Sequence, residues 1–152
     1  MEKSLCEIFD LSSIKLDFEH NSKDSTLSEL IESISHLNPK CNSTDLFTAI
    51  MEREKKMSTG IGNGVAIPHA SCTGINSMSG AIGISKKGID FRALDNKPVH
   101  IIFLFATSPE ADENHLRILN LIFMLSKSEE FALMKNAKNA EEVHAILSQI
   151  NQ

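Results

Sequence analysis

From Val99 to Ala106 the chain reads Val-His-Ile-Ile-Phe-Leu-Phe-Ala, apolar throughout except for His100. A run of this length without alternation fits a strand covered on both faces, the central place in a sheet sandwiched by helices. Such a strand requires helices with apolar faces, and strands to flank it. Upstream, Ile14, Leu16 and Phe18 alternate with Lys15 and Asp17, the pattern of a short strand with one buried face. Gly80 to Ser85 reads as a further strand, Val65 to Ile67 as a short apolar one, and Asp95-Asn96 suits a turn before the long run.

Helical spacing accounts for most of the rest. Thr26 with Glu29 forms a capping box for a helix whose apolar face is Leu27, Leu30, Ile31, Ile34 and Leu37, with Pro39 helping to stop it. Ser43 can cap the next helix, in which Leu46, Ile50 and Arg53 share one seam and bring a charge to the core side near its end. After Ser108-Pro109 a helix is expected by about Asp112, carrying Leu116, Leu119, Ile122 and Phe123 inward. Ser128 can cap a short helix around Phe131, and Asn139 with Glu142 opens a last one with Val143, Ile146, Leu147 and Ile150 as its core face. Strands alternating with helices imply one α/β domain over residues 1–152, a mixed β-sheet covered by α-helices on both faces. Strand order does not follow from the pattern.

Between the Arg53 helix and Val65 lies Ser58-Thr59-Gly60-Ile61-Gly62-Asn63-Gly64, read as an irregular segment in which alternate glycines permit close backbone approach. Pro68 then precedes His69. Backbone N–H groups of such a loop can surround an anion, and an arginine at its edge can give a phosphate two charge-assisted hydrogen bonds. A neutral imidazole is a competent nucleophile. Spacing alone equally describes a tight connection bearing a surface histidine. The glycines match neither the phosphate-binding Gly-Lys-Ser/Thr loop nor G-x-G-x-x-G, so nucleotide binding has little support.

The stretch Gly64-Val65-Ala66-Ile67-Pro68-His69-Ala70 is similar to the segment around the phosphorylated histidine of type-2 enzyme IIA domains, the mannitol/fructose/nitrogen-regulatory class of the bacterial phosphotransferase system. Asp95-Asn96-Lys97-Pro98-Val99 and His115-Leu116 resemble further segments of that family, so the likeness spans the chain. The resemblance implies a relay in which His69 accepts phosphate from an HPr-type phosphocarrier and passes it to a IIB domain, or signals by its phosphorylation state to a regulatory target. It assigns Arg53 to the phosphoryl oxygens, His115 to the phosphate or its neighbour, and Asn63, with Gly62 and Gly64, to phosphate binding. Asn63 stands where the mannitol branch has an acidic residue, and it also suits a left-handed turn. The loop leans toward the nitrogen-regulatory type, with a fructose-type sugar transport component as the alternative. No IIB or membrane IIC unit accompanies the domain, so sugar transport is expected to need separate partners. Docking of HPr is expected on apolar surface near His69, including Ile61 and Ile67.

Composition bounds the rival classes. A formal net charge of -5 argues against non-specific nucleic-acid binding. The amino terminus lacks a long apolar stretch and the apolar run Ile101 to Ala106 is too short to span a bilayer, so a cytoplasmic protein without membrane insertion is expected. Cys6, Cys41 and Cys72 fit reduced thiols. Cys72 follows His69 closely, yet zinc spacing is missing, and neither metal nor cofactor is expected. A metal-dependent hydrolase would need ligand clusters that are not apparent. A docking module that no longer carries phosphate remains the rival reading, and His69, Arg53 and His115 together speak against it.

Overall fold

The computed structural model describes residues 3–17, 22–110 and 114–150. The expectations for Phe18 and for a helix start at Asp112 lie outside the described residues. Strand β6 (Val99–Thr107) takes the central place its composition demands. On one side it pairs antiparallel with β5 (Ser79–Ile89), which pairs in parallel with β1 (Phe9–Leu16). On the other side two short strands, β3 (Val65–Ala66) and β4 (His69–Ser71), pair with β6 in parallel one after the other. Strand β2 (Gly60–Gly62) completes the six-stranded mixed sheet beside β3.

Both faces of the sheet are covered, as expected. Ile101, Phe103 and Phe105 of β6 pack with α1 (Leu5–Ile8), α4 (Asn114–Leu125), α5 (Glu129–Lys135) and α6 (Ala140–Ser148). Ile102, Leu104 and Ala106 face the opposite core, filled by Leu27, Leu30, Ile31 and Ile34 of α2 (Lys23–Leu37) and Leu46 and Ile50 of α3 (Ser43–Lys56). Each fully buried large side chain stabilises the fold by about 1.5–3 kcal/mol, which is why one apolar strand anchors two layers.

Several local expectations are corrected. Helix α2 starts a turn earlier than Thr26: the Ser22 hydroxyl accepts the Ser25 N–H, and buried Thr26 donates its own hydroxyl back to the Ser22 carbonyl at 2.8 Å. Asn42, not Ser43, caps α3 by accepting the Asp45 N–H at 3.0 Å. Leu37, at the end of α2, is 41% exposed. In α6, Val143 and Leu147 are buried while Ile146 is half-buried, and Ile150, expected on the same face, lies half-buried beyond the helix end. The glycine segment is not wholly irregular. Asn63 and Gly64 adopt φ of 57° and 78°, the left-handed pair that closes a two-residue hairpin, and this lets Gly60–Gly62 pair with Val65–Ala66.

Helix α4 shows the largest departure. It buries Ile118, Ile122 and Leu125, while Leu116 and Phe123 are exposed and Leu119 is half-buried. Its sequence is apolar on nearly every side, so spacing could not choose the inward face.

Candidate functional site

The site is built on a break in one sheet edge. Ala66 pairs with Ile102 and His69 pairs with Phe105, but Ile67 and Pro68 between them leave the ladder. Proline has no N–H to donate, although the Pro68 carbonyl still accepts the Phe105 N–H at 3.0 Å. The Ile67 N–H turns instead to the Thr59 carbonyl at 3.0 Å. Freed from the sheet, the Ile67 carbonyl lies 2.8 Å from His69 Nδ1. A carbonyl can only accept, so Nδ1 carries the proton and Nε2 keeps its lone pair.

The His69 ring is half-buried and lies nearly parallel to the buried Phe105 ring, centroids 5.1 Å apart and planes 12° apart. Burial holds the His69 pKa below the ordinary imidazole value, and the nearby Arg53 and His115 lower it further. The Ile67 hydrogen bond and the Glu54 carboxylate work the other way without reversing the shift. Near neutral pH the ring is therefore uncharged and nucleophilic at Nε2.

A cleft of about 280 Å³ opens beside it, lined by His69 and Arg53 together with the apolar Met57, Ile61, Leu94 and Phe123. Arg53 leaves the last turn of α3 half-buried and donates Nη1 to the Met57 carbonyl at 2.8 Å. From the first turn of α4, His115 brings its ring to 6.5 Å from that of His69, centroid to centroid. The fold thus gathers His69, Arg53 and His115 from three separate elements.

The remaining expected positions lie elsewhere. Gly62 at the end of β2 and the turn residues Asn63 and Gly64 make the β2–β3 hairpin and do not line this cleft. A Cβ at Gly62 would face the Asp95 carboxylate at 3.6 Å, and one at Gly64 would face the His100 ring at 3.5 Å. His100 itself donates Nδ1–H to the Ser85 carbonyl at 2.9 Å. His144 is half-buried and donates Nε2–H to the Cys6 carbonyl at 3.0 Å. Cys72 does not pair with His69; its sulfur lies 3.5 Å from that of Cys41, buried against the α2–α3 layer. Burial and Cys41 push the Cys72 thiol up to about 11. Among the described residues no group of three or more His, Cys, Asp or Glu could hold a metal ion, and no helix is long and apolar enough to cross a membrane. Ile67, expected at a docking surface, is only 3% exposed.

Sequence reasoning missed two residues. Asn120 of α4 lines the cleft, unnoticed in a helix read only for its apolar positions. Glu54, next to Arg53 in α3, is 7% exposed and continues the seam of Leu46 and Ile50 at intervals of four. That spacing was visible, but the more conspicuous Arg53 fits the same seam at an interval of three.

A ring nitrogen that keeps its lone pair in a cleft shared with a guanidinium is the arrangement a histidine phosphocarrier would require. Comparison with known proteins narrows the class. Residues 7–150 match the family model for the phosphoenolpyruvate-dependent sugar phosphotransferase system, EIIA 2. The chain is 32% identical over 127 residues to a nitrogen regulatory protein of Pseudomonas aeruginosa, covering 83% of this chain and 82% of that one. It is 34% identical over 149 residues to the fructose-specific EIIABC component of Bacillus subtilis, covering 97% of this chain but only 23% of that longer protein. The crystal structure of nitrogen regulatory protein IIA-Ntr from Neisseria meningitidis superposes with a TM-score of 0.86 at 33% identity, covering 94% of this chain and 98% of that one. The chain belongs to the type-2 EIIA family and is a phosphocarrier component of the phosphotransferase system.

Proposed function

We propose that His69 is the phosphoryl acceptor, taking phosphate on Nε2 from an HPr-type carrier and handing it to a IIB domain or signalling by its phosphorylation to a regulatory target. The observation that carries this reading is the bond between His69 Nδ1 and the Ile67 carbonyl, which reserves Nε2 for chemistry. In the transfer the Nε2 lone pair forms a bond to phosphorus as the donor's nitrogen–phosphorus bond breaks, and the donor nitrogen keeps that electron pair. No proton need move: His69 retains its Nδ1–H, and the positive character the ring acquires faces the Ile67 carbonyl dipole. Arg53 sits in the same cleft to bind phosphoryl oxygens, and His115 stands within reach of the phosphorylated ring. Asn63, Gly62 and Gly64 lie outside that cleft, so a phosphate role for them would require the hairpin to close over the site.

The exposed Met57, Leu94, Leu116 and Phe123 give a carrier an apolar surface to dock on, with half-buried Ile61 at its floor. We place the chain in the nitrogen-regulatory branch, supported by its loop and its likeness to IIA-Ntr. The likeness to a fructose-specific component supports the second reading, a transport role. Residues 1–152 then act as one IIA unit in the cytoplasm.

Intact mass after incubation with phosphoenolpyruvate, enzyme I and HPr tests the acceptor. A gain of one acid-labile phosphoryl group that requires HPr and is absent in His69→Ala is expected. No gain with active HPr would favour the docking module. Reconstitution with a fructose-type IIB separates the branches, because rapid sugar phosphorylation would count against a purely regulatory role.

A further inference from the structure

Glu54 is charged, almost wholly buried, and tied on two sides. A carboxylate so placed persists only when paired and hydrogen-bonded. Its pairing partner is Lys23, at the start of α2, whose Nζ lies 2.6 Å from Oε2. Lys23 is itself held over the Phe91 ring, 4.4 Å from its centroid. On the other side the carboxylate receives Thr59: the backbone N–H reaches its two oxygens at 3.3 and 3.2 Å, and the hydroxyl donates to Oε1. Thr59 also lines the His69 cleft.

What Thr59 does next gives these bonds a consequence at the reacting ring. Its carbonyl accepts the Ile67 N–H at 3.0 Å, and the Ile67 carbonyl accepts the His69 Nδ1–H at 2.8 Å. Ile67 is thereby held at both backbone polar groups, and the following Pro68 restricts its conformation further. We propose that Glu54 is a positioning residue for phosphoryl transfer at His69: its carboxylate fixes Thr59, Thr59 fixes Ile67, and Ile67 fixes the tautomer that leaves Nε2 free.

The alternative role for a buried carboxylate here is a counter-charge to Arg53 and His69, acting through the field alone. The two roles separate by substitution. Glu54→Gln keeps an oxygen for Thr59 but removes the charge, whereas Glu54→Ala removes both. If the hydrogen-bonded chain is what matters, Glu54→Gln retains most of the behaviour and Glu54→Ala does not.

The inference rests on His69 being the acceptor, so it is read in two independent ways. Nitrogen-15 spectra of the unphosphorylated protein report which His69 ring nitrogen bears the proton. Saturating transfer rates from phosphorylated HPr report the chemistry. Glu54→Ala is expected to yield a mixture of tautomers and a saturating rate lower by about 10- to 100-fold, with half-saturation unchanged, while Glu54→Gln restores the Nδ1–H form and most of the rate. A wild-type protein that accepts no phosphate would remove the carrier reading and leave the spectra to decide the positioning chain. If the wild type accepts phosphate but folded Glu54→Ala keeps its tautomer and its rate, the inference is overturned. It is also overturned if Glu54→Gln loses as much as Glu54→Ala, because charge would then be the cause. Should Glu54→Ala not fold, Thr59→Val, which removes only the hydroxyl link, decides by the same two readouts: a partial shift in both supports the chain, and no shift in either refutes it.

Discussion

Replacing Arg53 by alanine tests the electrostatic half of the mechanism. The guanidinium lines the cleft with His69, and one of its nitrogens is committed to the Met57 carbonyl at 2.8 Å. Met57 is 59% exposed, so water can replace that bond and the fold should lose little. The phosphoryl group in transit has no such substitute. A hydrogen bond to a charged group contributes about 1.5–3 kcal/mol. With one donor already engaged and the cleft open to solvent, the lower part of that range for a single bond, about 1.5–2 kcal/mol, is appropriate. It corresponds to a rate lower by about 10- to 30-fold. A second effect acts on the nucleophile itself. After burial, Arg53 is among the causes that lower the His69 pKa, so its removal makes the ring bind protons more readily. Below neutrality this adds to the loss, whereas near pH 8 the ring is neutral in both proteins. Single-turnover transfer from phosphorylated HPr at pH 8, followed by intact mass, therefore isolates phosphoryl stabilisation. Arg53→Lys, which keeps charge but not the planar fork, should fall between. Wild-type rate for folded Arg53→Ala at pH 8 would refute the role.

Because the His69 pKa lies below the ordinary 6.5, phosphate acceptance should persist below that pH, and a rate profile falling off above 6.5 would contradict the burial argument. The same shift has a linkage consequence. The unfolded chain protonates His69 first, so this residue's contribution to stability is full above 6.5 and falls as pH drops through 6.5 toward the lower folded value; denaturant titrations compared with His69→Gln would show it. At Gly80, a Cβ would lie 2.4 Å from a Phe9 ring carbon and 2.9 Å from the Leu104 carbonyl oxygen. Gly80→Ala should thus cost about 1–3 kcal/mol or more, lowering the midpoint in thermal unfolding by about 2–4 °C per kcal/mol; an unchanged midpoint would mean that β1 yields freely. Buried Cys41 and Cys72, the latter with its thiol pushed up to about 11, should resist iodoacetamide at pH 7.5 in the native protein and react after denaturation, and mass spectrometry of digests would detect early labelling.

What could be read from the residue order was local. The unbroken apolar run of β6 announced its central place, because a strand buried on both faces cannot afford polar positions. Asn139 marked a helix start correctly, its side chain accepting the Glu142 N–H, since a cap acts within a few residues of itself; Ser128 also stands at a helix start, but its hydroxyl turns back to the Leu125 carbonyl and does not cap. Pro68 before His69 is a local signal of the same kind, because a residue without an N–H cannot donate to a ladder. What needed the tertiary structure was every choice between locally equivalent answers. Helix α4 offers apolar residues around most of its circumference, and only packing against the sheet decided that Ile118 and Ile122 go inward while Leu116 and Phe123 face solvent. Arg53 and Glu54 both suited the seam of α3, and it was the Lys23 ammonium and the Thr59 backbone, supplied by other segments, that made burial tolerable for Glu54. The strand order and the nearness of His115 to His69 likewise depend on groups far apart in the chain. Local spacing carries backbone propensity and side-chain periodicity; the pairing of distant polar groups out of water is decided only when the chain has closed around them.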